Sequence, residues 1–193
     1  CSRGGCSTKS LTEVDRSQIH TPQDDGGAAH LTGLALPSLA LPSTDGGAVD
    51  LGALTGRVVI YTYPMTARPD VAPPDGWDGI PGARGCTPQS CAFRDHAAEL
   101  EELGVSALYG VSSQDTAYQA EAVARLHLPF PLLSDEGLRL TEALRLPVME
   151  VEGKTLIKRM AWIVDDGVIM KVFYPVFPPD RNAGEVLDWL RGA

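Results

Sequence analysis

The sequence has 193 residues, which suits one domain of ordinary size, and 44% of them are hydrophobic, so a sizeable single core is expected. Its 16 lysines and arginines are outnumbered by 25 aspartates and glutamates, for a formal net charge of −9. A surface field of this sign repels phosphate backbones and anionic lipids, so we expect neither nucleic acid nor a membrane as partner. No apolar run approaches the roughly 18 to 20 residues that a membrane-spanning helix requires, and we expect a soluble, cytoplasmic protein.

The first 30 residues are polar and glycine-rich, with few apolar positions that could pair in a core. Their turn-forming segment, Asp24 to Gly27, is typical of a linker. We therefore predict a flexible tail over residues 1–30 and a folded domain over residues 31–193. The chain begins with Cys1 rather than Met, which fits an excised or processed sequence, and a mature lipoprotein is the less favoured alternative.

Short apolar segments separated by Pro and Gly begin the folded part. Residues 34–51 predict an N-terminal hairpin that turns at Asp45, Gly46 and Gly47. Residues 57–64, RVVIYTYP, are rich in β-branched and aromatic residues without strict alternation, which indicates a strand buried on both faces. We expect this strand in the middle of the sheet.

The rest of the chain alternates between helical and strand patterns. After an irregular stretch over 65–85, the predicted elements are a helix over 87–103, a strand over 105–112, a helix over 116–128, a short strand near 132–133, a helix over 136–144, a hairpin over 159–174 that folds at 165–167, and a helix over 182–191. A βαβ crossover followed by an antiparallel hairpin and a terminal helix predicts a thioredoxin-like α/β fold. Its mixed central sheet would carry helices on both faces and the N-terminal hairpin.

The chemistry is concentrated in the segment GCTPQSCAFRD, residues 85–95, where a loop enters a helix. Pro88 suits the first turn and Thr87 suits the cap, so Cys86 is expected at the N-terminus of the helix. Unpaired N–H groups and the positive end of the helix dipole stabilise a thiolate there, and the thiolate is the nucleophilic form of cysteine. Cys86 is therefore a candidate reactive thiol, the alternative being a small apolar residue in a helix start.

Cys91 follows five residues later, close enough to suggest that it traps a sulfenic acid of Cys86 as a disulfide. Five helical residues place the two α-carbons roughly 8 to 9 Å apart, beyond the ~7 Å limit for a disulfide, so the first helical turn must unwind. A zinc site is disfavoured because the body has no second cysteine pair, and His96 is expected on a solvated face. Cys1 and Cys6 lie far away in the tail, and the entropy of closing so long a loop disfavours them as partners.

Several segments resemble the Q-type class of peroxiredoxins, also called bacterioferritin comigratory proteins. They are YTYP (61–64), GCT (85–87), Cys91, FRD (93–95), VSSQDTAYQAEAVARLHLPFPLLSD (111–135) and KRMAWIVDDG (158–167). The resemblance runs from about Leu31 to the end of the chain. It implies that Cys86 is the peroxidatic cysteine and that Cys91 is the resolving cysteine.

The resemblance also assigns Arg159 to the arginine that lies beside the thiolate and the peroxide oxygens, the alternative being a surface arginine at a strand edge. The threonine that the family has three residues before its peroxidatic cysteine is replaced here by Ala83. Thr66 is the candidate substitute, on the near side of an unusual insertion over residues 67–85. Arg84, next to the thiol, is a second cationic candidate, with a plain loop arginine as the alternative.

The predicted function is that of an atypical 2-Cys peroxiredoxin, which reduces hydrogen peroxide or organic hydroperoxides through a sulfenic acid and an intramolecular Cys86–Cys91 disulfide. The resemblance implies a thioredoxin-like reductant protein, no metal, flavin or haem, and a monomer or homodimer. Two alternatives are a thioredoxin-like disulfide oxidoreductase, whose usual C-x-x-C spacing is missing here, and a non-enzymatic peroxide sensor. Trp77 and YPVFPP (174–179) are interpreted as surface loops, or alternatively as interface elements.

Overall fold

The structure, a computed structural model, describes residues 20–193. The strands are β1 (Ala40–Pro42), β2 (Ala48–Asp50), β3 (Arg57–Thr62), β4 (Val105–Ser112), β5 (Leu132–Ser134), β6 (Val148–Val151), β7 (Lys154–Ile157), β8 (Met160–Asp165) and β9 (Val168–Phe173). The α-helices are α1 (Cys86–Asp95), α2 (Ala97–Glu102), α3 (Thr116–Leu126), α4 (Arg139–Leu144) and α5 (Asn182–Gly192). Short 3-10 helices cover Leu51–Ala53, Trp77–Gly79 and Pro179–Arg181.

The central sheet has the strand order β5-β4-β3-β8-β9, which places β3 in the middle, as the sequence predicts. β3 is parallel to β4 and antiparallel to β8, so the sheet is mixed. Val59 and Tyr61 of β3 pack with α1, α2, α3 and α5 on one face. Val58 and Ile60 pack with α4 and the N-terminal hairpin on the other. The predicted architecture, with helices on both faces, is therefore confirmed.

The folded body begins before residue 31. Residues 1–19 of the predicted tail, with Cys1 and Cys6, lie outside the described residues. Ala28, however, is buried, and the Asp25 carboxylate accepts hydrogen bonds from Lys158 Nζ and from the Tyr174 hydroxyl, each at 2.7 Å. The composition of the segment conceals these contacts because the polar partners lie more than a hundred residues away in the chain.

Two local features differ from the expectation. The single helix predicted over 87–103 is divided into α1 and α2 at His96, and we have no physical account of the break. The β6–β7 hairpin was not predicted. Its two turn residues, Glu152 and Gly153, have φ angles of 48° and 75°, as a type I′ turn requires, but glutamate is uncommon at such a position.

The insertion over residues 67–85 packs onto the β6–β7 hairpin. Trp77 is only 6% exposed and contacts a small apolar cluster with Ala83, Val151 and Leu156. The interpretation of Trp77 as a surface loop residue is therefore wrong, because the hairpin that covers it was not foreseen. Within residues 20–193, no helix combines the length and apolarity that a bilayer crossing requires.

Candidate active site

Helix α1 begins at Cys86, as the sequence predicts. The preceding residue, Gly85, occupies the N-cap with a φ of 105°, in the left-handed region, and no side chain caps the helix. A Cβ atom on Gly85 would overlap Cγ of Pro179, so both the backbone angle and the available space require glycine. The expected capping role of Thr87 is therefore wrong, because Thr87 already lies inside the first turn.

The thiol of Cys86 meets the guanidinium of Arg159. Nη2 of Arg159 donates to Sγ of Cys86 at 3.2 Å, and each of the two residues is only 3% exposed. The contact places a positive charge directly beside the sulfur. The structure thus brings together two of the residues that the sequence singled out, although they are 73 positions apart.

The end of the insertion forms a cradle of backbone carbonyls around the same guanidinium. Nη2 of Arg159 also donates to the carbonyl oxygens of Gly82, Ala83 and Arg84, at 3.3, 3.3 and 2.9 Å. The side chain of Arg84 instead forms an ion pair with Asp78, with 3.3 Å between Nε and Oδ1. Arg84 therefore contributes a carbonyl to the site, whereas the sequence suggested its positive charge.

Two buried amide side chains hold the other arm of the guanidinium, and sequence reasoning missed both. Nη1 of Arg159 donates to Oε1 of Gln89 at 2.7 Å, and Nε2 of Gln89 donates to Oδ1 of Asn182 at 3.0 Å. Both amides are fully buried. Gln89 lies three residues after Cys86, so helical periodicity could have placed it on the face of the thiol. Asn182, at the start of α5, carries no such signal.

Cys91 lies in the same helix as Cys86 and is 6% exposed. Cys91 is disulfide-bonded in this structure, whereas Cys86 is a free thiol, so the two are not joined to each other. Because a regular helix holds positions five residues apart too far from each other for a disulfide, pairing of Cys86 with Cys91 requires the first turn of α1 to unwind.

Thr66 is fully buried, but it faces a different partner. Its hydroxyl donates to Oε1 of Gln114 at 3.2 Å, and Nε2 of Gln114 donates back to the Thr66 carbonyl at 3.2 Å. Among residues 20–193, no hydrogen bond joins Thr66 to Cys86. The insertion that follows Thr66 separates it in sequence from the thiol, and the loop after β4 supplies the partner instead.

Aromatic packing docks α1 on the central sheet. The Tyr61 ring stacks on Phe93 with 4.5 Å between centroids and 8° between planes, and the Tyr61 hydroxyl donates to Ser90 at 3.0 Å. Burial raises the pKa of Tyr61 and of Tyr63 above the ordinary value for a phenol. The inner face of α1 is thus packed on the sheet. Its C-terminal end is at the surface, where half-exposed His96 pairs with Glu99.

Comparison with known proteins agrees with this arrangement. Residues 31–187 match the Redoxin family. The chain is 34% identical over 161 residues to peroxiredoxin Q, chloroplastic, of Oryza sativa subsp. japonica, an alignment that covers 82% of this chain and 66% of that relative. It is 30% identical over 163 residues to peroxiredoxin Q, chloroplastic, of Arabidopsis thaliana, covering 83% of this chain and 67% of the relative.

Solved structures give the same result for the fold. Peroxidoxin BcpB from Mycobacterium tuberculosis is similar, with a TM-score of 0.67 at 27% identity, over 83% of this chain and 96% of that one. A peroxiredoxin Q from Xanthomonas campestris shares the fold with a TM-score of 0.65 at 24% identity, over 82% of this chain and 96% of that one. The predicted thioredoxin-like fold is therefore confirmed.

Proposed function

This chain belongs to the redoxin family, and we propose that it is a thiol-dependent peroxidase of the peroxiredoxin Q type with Cys86 as its nucleophile. The observation that supports this most directly is the 3.2 Å contact between Nη2 of Arg159 and Sγ of Cys86 at the start of α1. The helix end and the guanidinium both place positive charge beside the sulfur, and the thiolate is the nucleophilic form of cysteine. Burial of the pair strengthens the interaction because little water screens it.

In the first step, the Cys86 thiolate attacks the terminal oxygen of a hydroperoxide. An S–O bond forms as the O–O bond breaks, and the departing oxygen takes a proton and leaves as an alcohol or, for hydrogen peroxide, as water. The Arg159 guanidinium stabilises negative charge on the departing oxygen, since it already lies beside the sulfur. Cys86 is left as the sulfenic acid. We assign Thr66 no part in this step, since its hydroxyl donates to Gln114 and not toward Cys86.

In the second step, the thiol of Cys91 condenses with the sulfenic acid of Cys86, and the S–S bond forms with release of one water. Cys91 must enter this step as a thiol, so its disulfide in the present structure has to be reduced first. Unwinding the first turn of α1 also breaks the contact of Cys86 with Arg159. A thioredoxin-like dithiol protein then reduces the new disulfide by thiol–disulfide exchange.

The localisation, oligomeric state and cofactor content of the protein stay predictions. We infer a cytoplasmic monomer or homodimer that uses no metal or other cofactor, from the composition and the family resemblance. The names of the plant relatives place those proteins in the chloroplast.

The test is peroxide consumption by the reduced protein with thioredoxin, thioredoxin reductase and NADPH. Cys86→Ser should abolish consumption, whereas Cys91→Ser should keep one rapid stoichiometric oxidation and lose turnover. Retained turnover in Cys86→Ser would overturn the proposal. Rapid oxidation of the wild type without turnover would indicate a sensor, and no reaction with peroxide would indicate a disulfide oxidoreductase.

A further inference from the structure

We propose that residues 22–25, which we call the N-terminal strap, limit the size of the peroxide substituent that the active site accepts. The inference rests on the proposed peroxidase function. The strap precedes the redoxin match, which begins at residue 31. It lies over a small cavity that Arg159 lines.

One end of the strap is bound to the residue next to Arg159 and to the residue after β9. The Asp25 carboxylate accepts a hydrogen bond from Nζ of Lys158, directly before Arg159, and another from the hydroxyl of Tyr174, directly after β9. These bonds hold the pKa of Asp25 well below its ordinary value. An isolated surface ion pair contributes little, but this carboxylate binds two partners, from the link between β7 and β8 and from the segment after β9.

The other end of the strap packs on the carbonyl cradle. A Cβ atom on Gly82 would lie 3.4 Å from Cβ of Pro22, which is ordinary contact distance, so the Pro22 ring lies next to Gly82. The carbonyl of Gly82 accepts a hydrogen bond from Arg159. Gly82 therefore lies between the strap and the guanidinium that contacts the sulfur.

Between these two anchors lies a cavity of about 70 Å³. Its walls are mostly apolar and include Pro22 and Gln23 of the strap, Pro81, Met149 and Val176, with Arg159 as one side. Arg159 lines this cavity, and Nη2 of the same residue is 3.2 Å from the sulfur. A peroxide oxygen held by Arg159 can thus direct an attached alkyl group into the cavity.

The volume decides which groups fit. A water molecule occupies roughly 30 Å³ of liquid, and a dry apolar cavity that takes up benzene measures roughly 150 Å³. The cavity of about 70 Å³ is less than half that size, so it suits a short alkyl group better than a phenyl ring. Hydrogen peroxide, which has no substituent, does not use this space. The strap should consequently affect the ratio of rates between peroxides rather than the chemistry at the sulfur.

The experiment compares second-order rate constants for oxidation of reduced Cys86 by hydrogen peroxide, tert-butyl hydroperoxide and cumene hydroperoxide in stopped flow, using the full chain. In the double variant Pro22→Gly, Asp25→Ala, the ratio of cumene hydroperoxide to hydrogen peroxide should rise about tenfold, the size of effect that small pocket changes produce. Val176→Phe fills the cavity and should lower the ratio of tert-butyl hydroperoxide to hydrogen peroxide. Asp188→Asn removes an exposed ion pair with Arg191 on α5 and should change neither ratio.

Each ratio is taken within one protein, so a general loss of activity cancels. Asp25→Asn, which removes only the clamp charge, should shift the cumene ratio in the same direction and keeps the test valid if the double variant does not fold. Unchanged ratios in variants that still consume peroxide would overturn this inference alone. A wild type that consumes no peroxide at all would overturn the peroxidase proposal and this inference with it.

Discussion

The Gln89 side chain holds Arg159 in the orientation that the active site needs. Its Oε1 accepts from Nη1 at 2.7 Å, which leaves Nη2 facing Cys86 at 3.2 Å. The guanidinium therefore contacts an amide through Nη1, while the two N–H groups of Nη2 are shared among three carbonyls and the sulfur. A planar fork of donors makes such a set possible, and a lysine ammonium does not have that geometry.

Arg159→Lys should lower the second-order rate constant for oxidation of Cys86 by about 10² to 10³, the usual effect of removing one donor to a developing oxyanion. The charge is kept, but the ammonium cannot serve the amide, the carbonyls and the peroxide together. The measurement is stopped-flow oxidation by hydrogen peroxide. Arg68→Lys, in an exposed pair with Asp70, is the matched control and should keep the wild-type rate. Equal rates for both variants would contradict the assignment of Arg159.

Gln89→Met keeps the volume of the side chain but leaves Nη1 of Arg159 without its acceptor. We expect a free energy of unfolding lower by about 1 to 3 kcal/mol, because a buried charged donor loses its partner. The oxidation rate of Cys86 should fall as the guanidinium reorients. Asn182→Ala, which frees the Gln89 amide to rotate, should give a smaller change of the same sign. Denaturant unfolding together with stopped flow measures both, and an unchanged rate in Gln89→Met would show that the amide is merely structural.

Gly85→Ala should destabilise the protein strongly, since φ is 105° and the new Cβ would overlap Pro179. Gly104→Ala is the matched control because its φ is 88° but the space around it is open. The control should cost about 1 to 2 kcal/mol of stability, the usual penalty of a left-handed conformation. Gly85→Ala should cost more in the same denaturant titration. A similar loss in both variants would mean that Pro179 moves aside freely.

Alkaline pH should destabilise the fold through its tyrosines. All five have a raised pKa, in each case first because of burial: Tyr61, Tyr63, Tyr109, Tyr118 and Tyr174. A raised pKa means that the folded state keeps its phenol protons longer than the unfolded state does. Stability is therefore fully present below the unfolded value near pH 10 and falls as the pH rises toward the folded values. The absorbance of tyrosinate as a function of pH follows ionisation of the phenols. Titration of the phenols of the folded protein at their ordinary pKa would contradict this prediction.

In Asp25→Asn, the pKa of Tyr174 should return toward its ordinary value, because the Asp25 carboxylate accepts the phenol proton in a hydrogen bond and adds to the shift. The same absorbance titration detects this change. A lower pKa of Tyr174 in Asp25→Asn than in the wild type would show that the strap contributes to the alkaline titration.

The sequence predicted the central elements because their signals are local. The buried run RVVIYT forms β3, the apolar segment VSALYGVS forms β4, and the Pro at position 88 follows the helix start by two residues. Cys86 and Arg159 could be singled out because the motifs around them are specific to one family, and their catalytic roles stay predictions. The structure then supplied the distance between them.

What could not be predicted depends on contacts between distant parts of the chain. Asn182 reaches the site only because α5 packs against α1, and Asp25 finds Lys158 only after the sheet has formed. Thr66 was placed by analogy with a motif that the insertion interrupts, and its hydrogen bond to Gln114 depends on the loop after β4. Local propensity carries no information about such pairings.

The most direct test of the account is peptide mapping by mass spectrometry of the fully reduced chain after one equivalent of hydrogen peroxide. Cys86 should be the oxidised residue and should be found in a disulfide with Cys91, since fraying of one helical turn is easier than closing a long loop. Cys91→Ser should instead give a trapped sulfenic acid on Cys86. A dominant link from Cys86 to Cys1 or Cys6 would contradict the role of Cys91, and an unmodified Cys86 would contradict the central claim.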